Sequence, residues 1–229
     1  MKNKSVVALI AAYNEVDRIA ATINAVKQVD LVSRILVVDD GSTDGTADIA
    51  KAAGAQVIRL EQNMGKGKAL QQAIEEVTED IVVFLDGDLG DCATESKKII
   101  APVLAGEADM AIADFPKAQK AGGIGLAKGL GRWGIKTFTG VEMSEPLSGQ
   151  RAVKTEFIKN VRFEPGYGLE VGISIDALSR GCRVVEVPVN MTHRETGRDF
   201  KGFVHRGQQF KDILKVILKR KLKAKKPLN

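Results

Sequence analysis

Asp86-Gly87-Asp88 closes a run of apolar residues, Ile81-Val82-Val83-Phe84-Leu85, and sets two carboxylates two positions apart. On extended backbone, residues i and i+2 face the same side, and Gly87 allows close backbone approach, so both acids can converge on one point. Their oxygens suit a hard divalent cation, Mg²⁺ or Mn²⁺, rather than zinc. A cation with so few protein ligands keeps positions open for a diphosphate and can neutralise charge on a departing nucleotide. The same residues equally describe a solvated acidic turn. Two more polar clusters follow apolar runs, Tyr13-Asn14-Glu15 and Asp39-Asp40-Gly41-Ser42. Either alone reads as a turn with a helix cap; three such loops together favour a site. Lys66 and Lys68, in Asn63-Met64-Gly65-Lys66-Gly67-Lys68, open a helix where glycines, N–H groups and an ammonium favour an anion.

These loops need a frame. Apolar, β-branched runs predict buried strands over 6–11, 35–38, 56–60 and 81–85, and helical spacing of apolar residues predicts helices over 14–29, 46–53 and 66–78. Such βαβαβαβ alternation implies a parallel sheet between helices, with ligands beyond the carboxyl ends of the strands. Further on, the pattern predicts a helix over 94–104, a strand over 110–113, a mobile Lys/Ala/Gly loop over 115–131 and a helix over 133–138. A strand over 147–153, a helix over 169–180 and a strand over 183–189 complete the body.

The 229 residues are 44% hydrophobic and 28% charged, which suits one α/β domain with a packed core and excludes disorder. No apolar run approaches the ~20 residues that span a bilayer, no signal-peptide pattern is present, and Cys92 and Cys182 make neither a disulfide framework nor a metal quartet. A reducing cytoplasmic compartment is expected. The net charge of +5 is a tail property: residues 201–229 carry ten Lys/Arg against one acid, so the body is mildly acidic, which argues against nucleic acid as the main partner. P-loop, Gly-x-Gly-x-x-Gly and Gly-x-Ser-x-Gly patterns are missing where their chemistries need them.

Together the clusters resemble the GT-A glycosyltransferases of the family 2 type. The matching text is Ala11-Ala12-Tyr13-Asn14-Glu15, Val37 to Thr46, Asn63-x-Gly65-Lys66-Gly67-x-Ala69 and the Asp86/Asp88 pair, in matching order and spacing over roughly residues 5–200. Ala11 stands where the first motif usually has proline. The resemblance implies a single GT-A (Rossmann-like) α/β domain over 1–200, a mostly parallel sheet flanked by helices. Its nucleotide-sugar half would span about 1–113 and its acceptor half about 114–200. Ala12, Tyr13, Glu15 and Asp40 would hold the nucleobase and ribose of a nucleotide diphosphate sugar. Asp39, Gly65, Lys66, Asp86 and Gly87 would complete that site, and Asp88 with Asp86 would bind Mg²⁺ or Mn²⁺.

The acceptor half is similar to two groups, the polyprenyl-phosphate hexosyltransferases and the glucosyl-3-phosphoglycerate synthases. Ser148, Gly149 and Arg151, in Pro146-Leu147-Ser148-Gly149-Gln150-Arg151-Ala152, look like the acceptor-side segment of these enzymes. Glu170 would position or deprotonate an acceptor, or simply cap its helix. His193 would be a third metal ligand or a structural histidine. Arg194, Arg198 and Lys201 suit the phosphate of an acceptor, because guanidinium groups grip its oxygens bidentately. Residues 203–226 form a basic amphipathic helix that either lies on the inner face of an anionic membrane or docks on the domain. The expectation is a hexosyltransferase using a UDP- or GDP-linked sugar and a phosphate-bearing acceptor. Polyprenyl phosphate is preferred over a small phosphorylated acid, and a homodimer is left open. The rivals are a non-catalytic module for membrane or RNA surfaces and a sugar nucleotidyltransferase, whose Gly-rich signature is missing.

Overall fold

The computed structural model describes residues 4–115, 125–191 and 200–224, the last stretch with side chains from 207 to 222. The strands are β1 (Val6–Ala12), β2 (Arg34–Asp39), β3 (Gln56–Arg59), β4 (Ile81–Asp86), β5 (Met110–Asp114), β6 (Arg151–Lys154) and β7 (Val184–Pro188). The helices are α1 (Ile19–Lys27), α2 (Thr46–Ala52), α3 (Lys66–Ala73), α4 (Ser96–Leu104), α5 (Leu126–Thr139), α6 (Thr155–Ile158), α7 (Leu169–Ser179) and α8 (Phe200–Ala224). One seven-stranded sheet runs β3-β2-β1-β4-β6-β5-β7. Every pairing is parallel except those of β6, which runs against both β4 and β5.

Both faces of the sheet are covered. Val6, Ala8 and Ile10 of β1 pack with Ile19, Ile23, Ile99 and Ile100 on one side, while Val7 and Leu9 pack with Leu70, Ile135, Ile213 and Ile217 on the other. Alternation along the strand sends neighbouring side chains to opposite faces, so a strand buried on both must be apolar throughout.

Three expectations change. The helix expected over 14–29 begins only at Ile19. Asn14 takes a left-handed conformation, and the N–H groups of Asn14, Glu15 and Val16 bond Ser42, Thr46 and Asp44 instead of a helical turn. The loop expected over 115–131 is helical from Leu126; residues 116–124 lie outside the described part. Two glycines of this helix are points of close contact: a Cβ at Gly134 would lie 2.5 Å from Ile217 Cδ1, and one at Gly131 3.3 Å from Pro146. The tail helix docks on the domain through buried Ile213, Val216 and Ile217, each isoleucine contributing roughly 1.5–3 kcal/mol. Arg220 pairs with Glu164 and Asp176, and Lys219 with Glu164. Phe210, Leu214 and Leu218, expected on the same side as Ile213 and Ile217, are exposed.

The acceptor end of the sheet is held by Asp109, just before β5. It accepts from Arg183 Nε at 3.2 Å and pairs with Lys154 Nζ at 2.7 Å, tying the ends of β5, β6 and β7 together. These hydrogen bonds hold its carboxyl well below the ordinary aspartate value of 3.8. A carboxylate with a depressed folded value stabilises above its unfolded value and loses that contribution as pH falls through the folded one. Asp109→Asn should therefore cost about 1 kcal/mol near neutral pH, allowing for screening at half-exposed Arg183. Urea titrations should show the gap between the two proteins closing below about pH 4.

Candidate active site

The carboxyl ends of β2, β1 and β4 lie side by side, with Ala12 paired to Asp39 and Ala11 to Asp86. The three polar clusters therefore share one edge of the sheet. They are also stitched together: Ser42 Oγ accepts the Asn14 N–H at 2.9 Å, Thr46 Oγ1 accepts that of Glu15 at 2.9 Å, and Asn14 Oδ1 accepts that of Thr43 at 3.1 Å. Asp40 accepts from the N–H groups of Met64 and Gly65 at 2.7 and 2.8 Å. It thereby braces the turn that delivers Lys66 to the start of α3. Asp39 is fully buried, and its Oδ2 has no hydrogen-bond partner among the described residues, with Arg59 Nε 3.6 Å away. Tyr13 stands 47% exposed beside buried Ala12.

Asp86 is the hub. Lys66 Nζ lies 2.6 Å from its Oδ1, and Gln150 Nε2 donates to its Oδ2 at 2.6 Å. The antiparallel course of β6 explains Gln150: Phe84 pairs with Arg151, so the segment entering β6 runs beside the end of β4. Gly149 faces the ion pair, and a Cβ there would sit 2.6 Å from Lys66 Nζ. Lys66 also lies 3.7 Å from Glu170 Oε1, in the first turn of α7. Burial pulls the Lys66 ammonium down, but the charges of Asp86 and Glu170 outweigh it and its pKa is raised. Tyr167 belongs to the same neighbourhood, its phenol pushed up by burial and then by Glu170.

Asp88 differs from Asp86. The strand stops at Asp86 and the chain turns at Gly87, whose N–H bonds the carbonyl of Ala11 at 3.0 Å, so the extended-backbone argument for paired acids ends there. The main-chain carbonyl of Asp88 accepts from Arg18, while its carboxylate has no partner among the described residues. No group of three or more His, Cys, Asp or Glu among those residues could hold an ion. What remains is an oxygen donor set with one unengaged carboxylate, which fits Mg²⁺ or Mn²⁺ coordinated largely by phosphate and water.

The acceptor residues divide. Ser148 and Gly149 reach the site, Ser148 buried with its Oγ bonded to the Gln150 carbonyl at 3.4 Å. Arg151, expected to meet an acceptor, is 1% exposed. Its guanidinium donates to the Ser148 carbonyl, to the Glu170 carbonyl at 3.2 Å and to Ser174. Burial lowers its pKa to about 10 against the pull of Glu170. His193, Arg194 and Arg198 lie outside the described residues, as does the Lys201 side chain. The sequence reading missed Gln150; its place between Gly149 and Arg151, two residues already singled out, was the available signal.

A sequence profile of glycosyl transferase family 2 matches residues 7–138. Glycosyltransferase AglJ of Haloferax volcanii is 32% identical over 197 residues, covering 83% of this chain and 64% of its own. Undecaprenyl-phosphate mannosyltransferase of Micrococcus luteus is 24% identical, covering 84% of this chain and 85% of its own. The crystal structure of glucosyl-3-phosphoglycerate synthase from Mycobacterium tuberculosis with Mn²⁺, UDP and phosphoglyceric acid superimposes with a TM-score of 0.79 at 27% identity. It covers 95% of this chain and 78% of that one. The chain spans just under two thirds of the length of AglJ and of the glucosyl-3-phosphoglycerate synthase of Mycolicibacterium paratuberculosis. The sheet order and the clustered loops match a GT-A fold, and the profile match takes in more than half of the residues: the chain belongs to glycosyl transferase family 2.

Proposed function

We propose that this protein transfers a hexose from a UDP- or GDP-linked sugar to an oxygen of a phosphate-bearing acceptor. The observation that carries the reading is the Asp86–Lys66–Glu170 cluster, which joins the nucleotide-side loops to the acceptor-side segment 148–151. Asp88 and Asp86 would hold Mg²⁺ or Mn²⁺, which supplies Lewis-acid neutralisation of the diphosphate. Lys66 adds a positive charge where the nucleoside diphosphate leaves as the acceptor oxygen attacks the anomeric carbon. An acceptor phosphate is already anionic, so Glu170 need not remove a proton and serves instead to orient. His193 would add a ligand, and Arg194, Arg198 and Lys201 would meet the acceptor phosphate.

Polyprenyl phosphate is the preferred acceptor, and α8 supports it. Phe210, Leu214, Leu218 and Leu222 are 36–68% exposed along this helix, among exposed Lys211, Lys215 and Lys221. Apolar residues interleaved with lysines suit an anionic lipid surface, each surface-near lysine adding about 1 kcal/mol. No described helix is long and apolar enough to cross a membrane, so such contact would be peripheral. A small phosphorylated acid is the second reading, favoured by the phosphoglyceric acid held in the mycobacterial structure.

The test supplies radiolabelled UDP-glucose or GDP-mannose with Mn²⁺, and either polyprenyl phosphate in anionic vesicles or 3-phosphoglycerate. Butanol-extractable label is expected. Water-soluble glycoside would move the assignment to the small acid. No transfer, together with no Mn²⁺-dependent thermal shift by either nucleotide sugar, would end the transferase reading.

A further inference from the structure

Asp86, Lys66, Glu170 and Arg151 form a cluster of two acids and two bases. The Lys66 ammonium stands 2.6 Å from Asp86 Oδ1 and 3.7 Å from Glu170 Oε1, and the Glu170 charge also acts on the Arg151 guanidinium. The second oxygen of Asp86 accepts from the Gln150 amide, and Gly149 closes over the Lys66 Nζ. The carboxylate that a cation would use thus already carries a positive partner at hydrogen-bond distance.

A divalent ion on a carboxylate oxygen sits about 2.0–2.6 Å from it. An ammonium on that same oxygen would then lie within a few ångströms of two positive charges, in a partly buried site where screening is weak. Both cannot keep the position. Lysine carries its charge on a flexible four-carbon stem, and of its two carboxylate contacts the one to Glu170 is the longer. About 1 Å of travel would turn the 3.7 Å approach into a hydrogen bond.

We propose that Lys66 and the divalent cation are alternative partners of Asp86, and that Glu170 is the positioning residue that receives the Lys66 ammonium once the cation is bound. This rests on the metal-dependent reading above and deepens it. In the metal-free protein Lys66 keeps two carboxylates from repelling one another. In the loaded protein it moves off Asp86 with its charge still balanced, and remains at the mouth of the site.

The experiment measures Mn²⁺ binding without nucleotide, from the paramagnetic resonance signal of free Mn²⁺, with circular dichroism to verify folding. The proteins are the wild type, Lys66→Met, Glu170→Gln and the double variant. Lys66→Met should bind Mn²⁺ about tenfold more tightly, and Glu170→Gln should bind several-fold more weakly because Lys66 has lost its second partner. The double variant should match Lys66→Met within about twofold, since without the ammonium Glu170 has no part to play. Equal weakening by Glu170→Gln in both backgrounds would reduce Glu170 to a distant charge and overturn the proposal. So would unchanged affinity in Lys66→Met, or no Mn²⁺ binding by any of the four. Mn²⁺-dependent UDP binding by the wild type under the same conditions would, in each case, leave the transferase reading standing.

Discussion

Asp88→Asn should leave the chain folded and cut hexosyl transfer by roughly 1,000-fold, the kinetic equivalent of several kcal/mol of lost charge stabilisation. The asymmetry between Asp86 and Asp88 makes this sharp. Asp88 has no side-chain partner among the described residues, so the amide disturbs no hydrogen bond there, and stability should stay within about 0.5 kcal/mol. Asp86 is bonded to Lys66 and Gln150, so changing it disturbs packing and chemistry together. Calorimetry of UDP with and without Mn²⁺ should show that the wild type gains affinity from the metal and Asp88→Asn does not. Wild-type turnover in Asp88→Asn would remove the metal from the mechanism.

The nucleotide side of the molecule was legible because its signals are local. Apolar runs, almost wholly buried in β1, β2 and β4, read as strands covered on both faces, and the polar text after each marks the edge where open parallel sheets bind ligands. The precise work of those residues was not legible. Asp40 reads as a ligand for the nucleotide, and the structure adds that its carboxylate holds the Met64 and Gly65 N–H groups, a contact across 24 residues. The glycines before Trp133 read as a loop because glycine is a poor helix former, and the use of Gly131 becomes visible only when Pro146 and Val171 arrive against it. The reversed direction of β6, which brings Gln150 to Asp86, is likewise a consequence of tertiary pairing. The periodicity of α8 showed one apolar stripe. The packed helix divides it, Ile213 and Ile217 inward, Phe210, Leu214 and Leu218 outward, because only the structure shows which arc the domain covers.

Arg151→Met should destabilise the fold by about 3–5 kcal/mol, the cost of breaking a buried charge arrangement from one side. Arg151 is 1% exposed, so methionine fills much of its volume but supplies no donor. The Ser148 carbonyl then loses its guanidinium partner, while the Glu170 carbonyl keeps the Ser174 hydroxyl at 2.9 Å. The Glu170 carboxylate loses the buried positive charge beyond it and keeps Lys66. Arg151→Lys should cost less, about 1–2 kcal/mol, because the charge survives while the forked geometry does not. Adding Glu170→Gln to Arg151→Met should recover part of the loss, since both members of the pair are then neutral. Urea titration gives these differences directly. They also decide what Arg151 is for: a residue gripping the acceptor would raise KM for the acceptor and leave the urea midpoint in place. A strut between the 148–150 segment and α7 would lower the midpoint, and the expected result is the second.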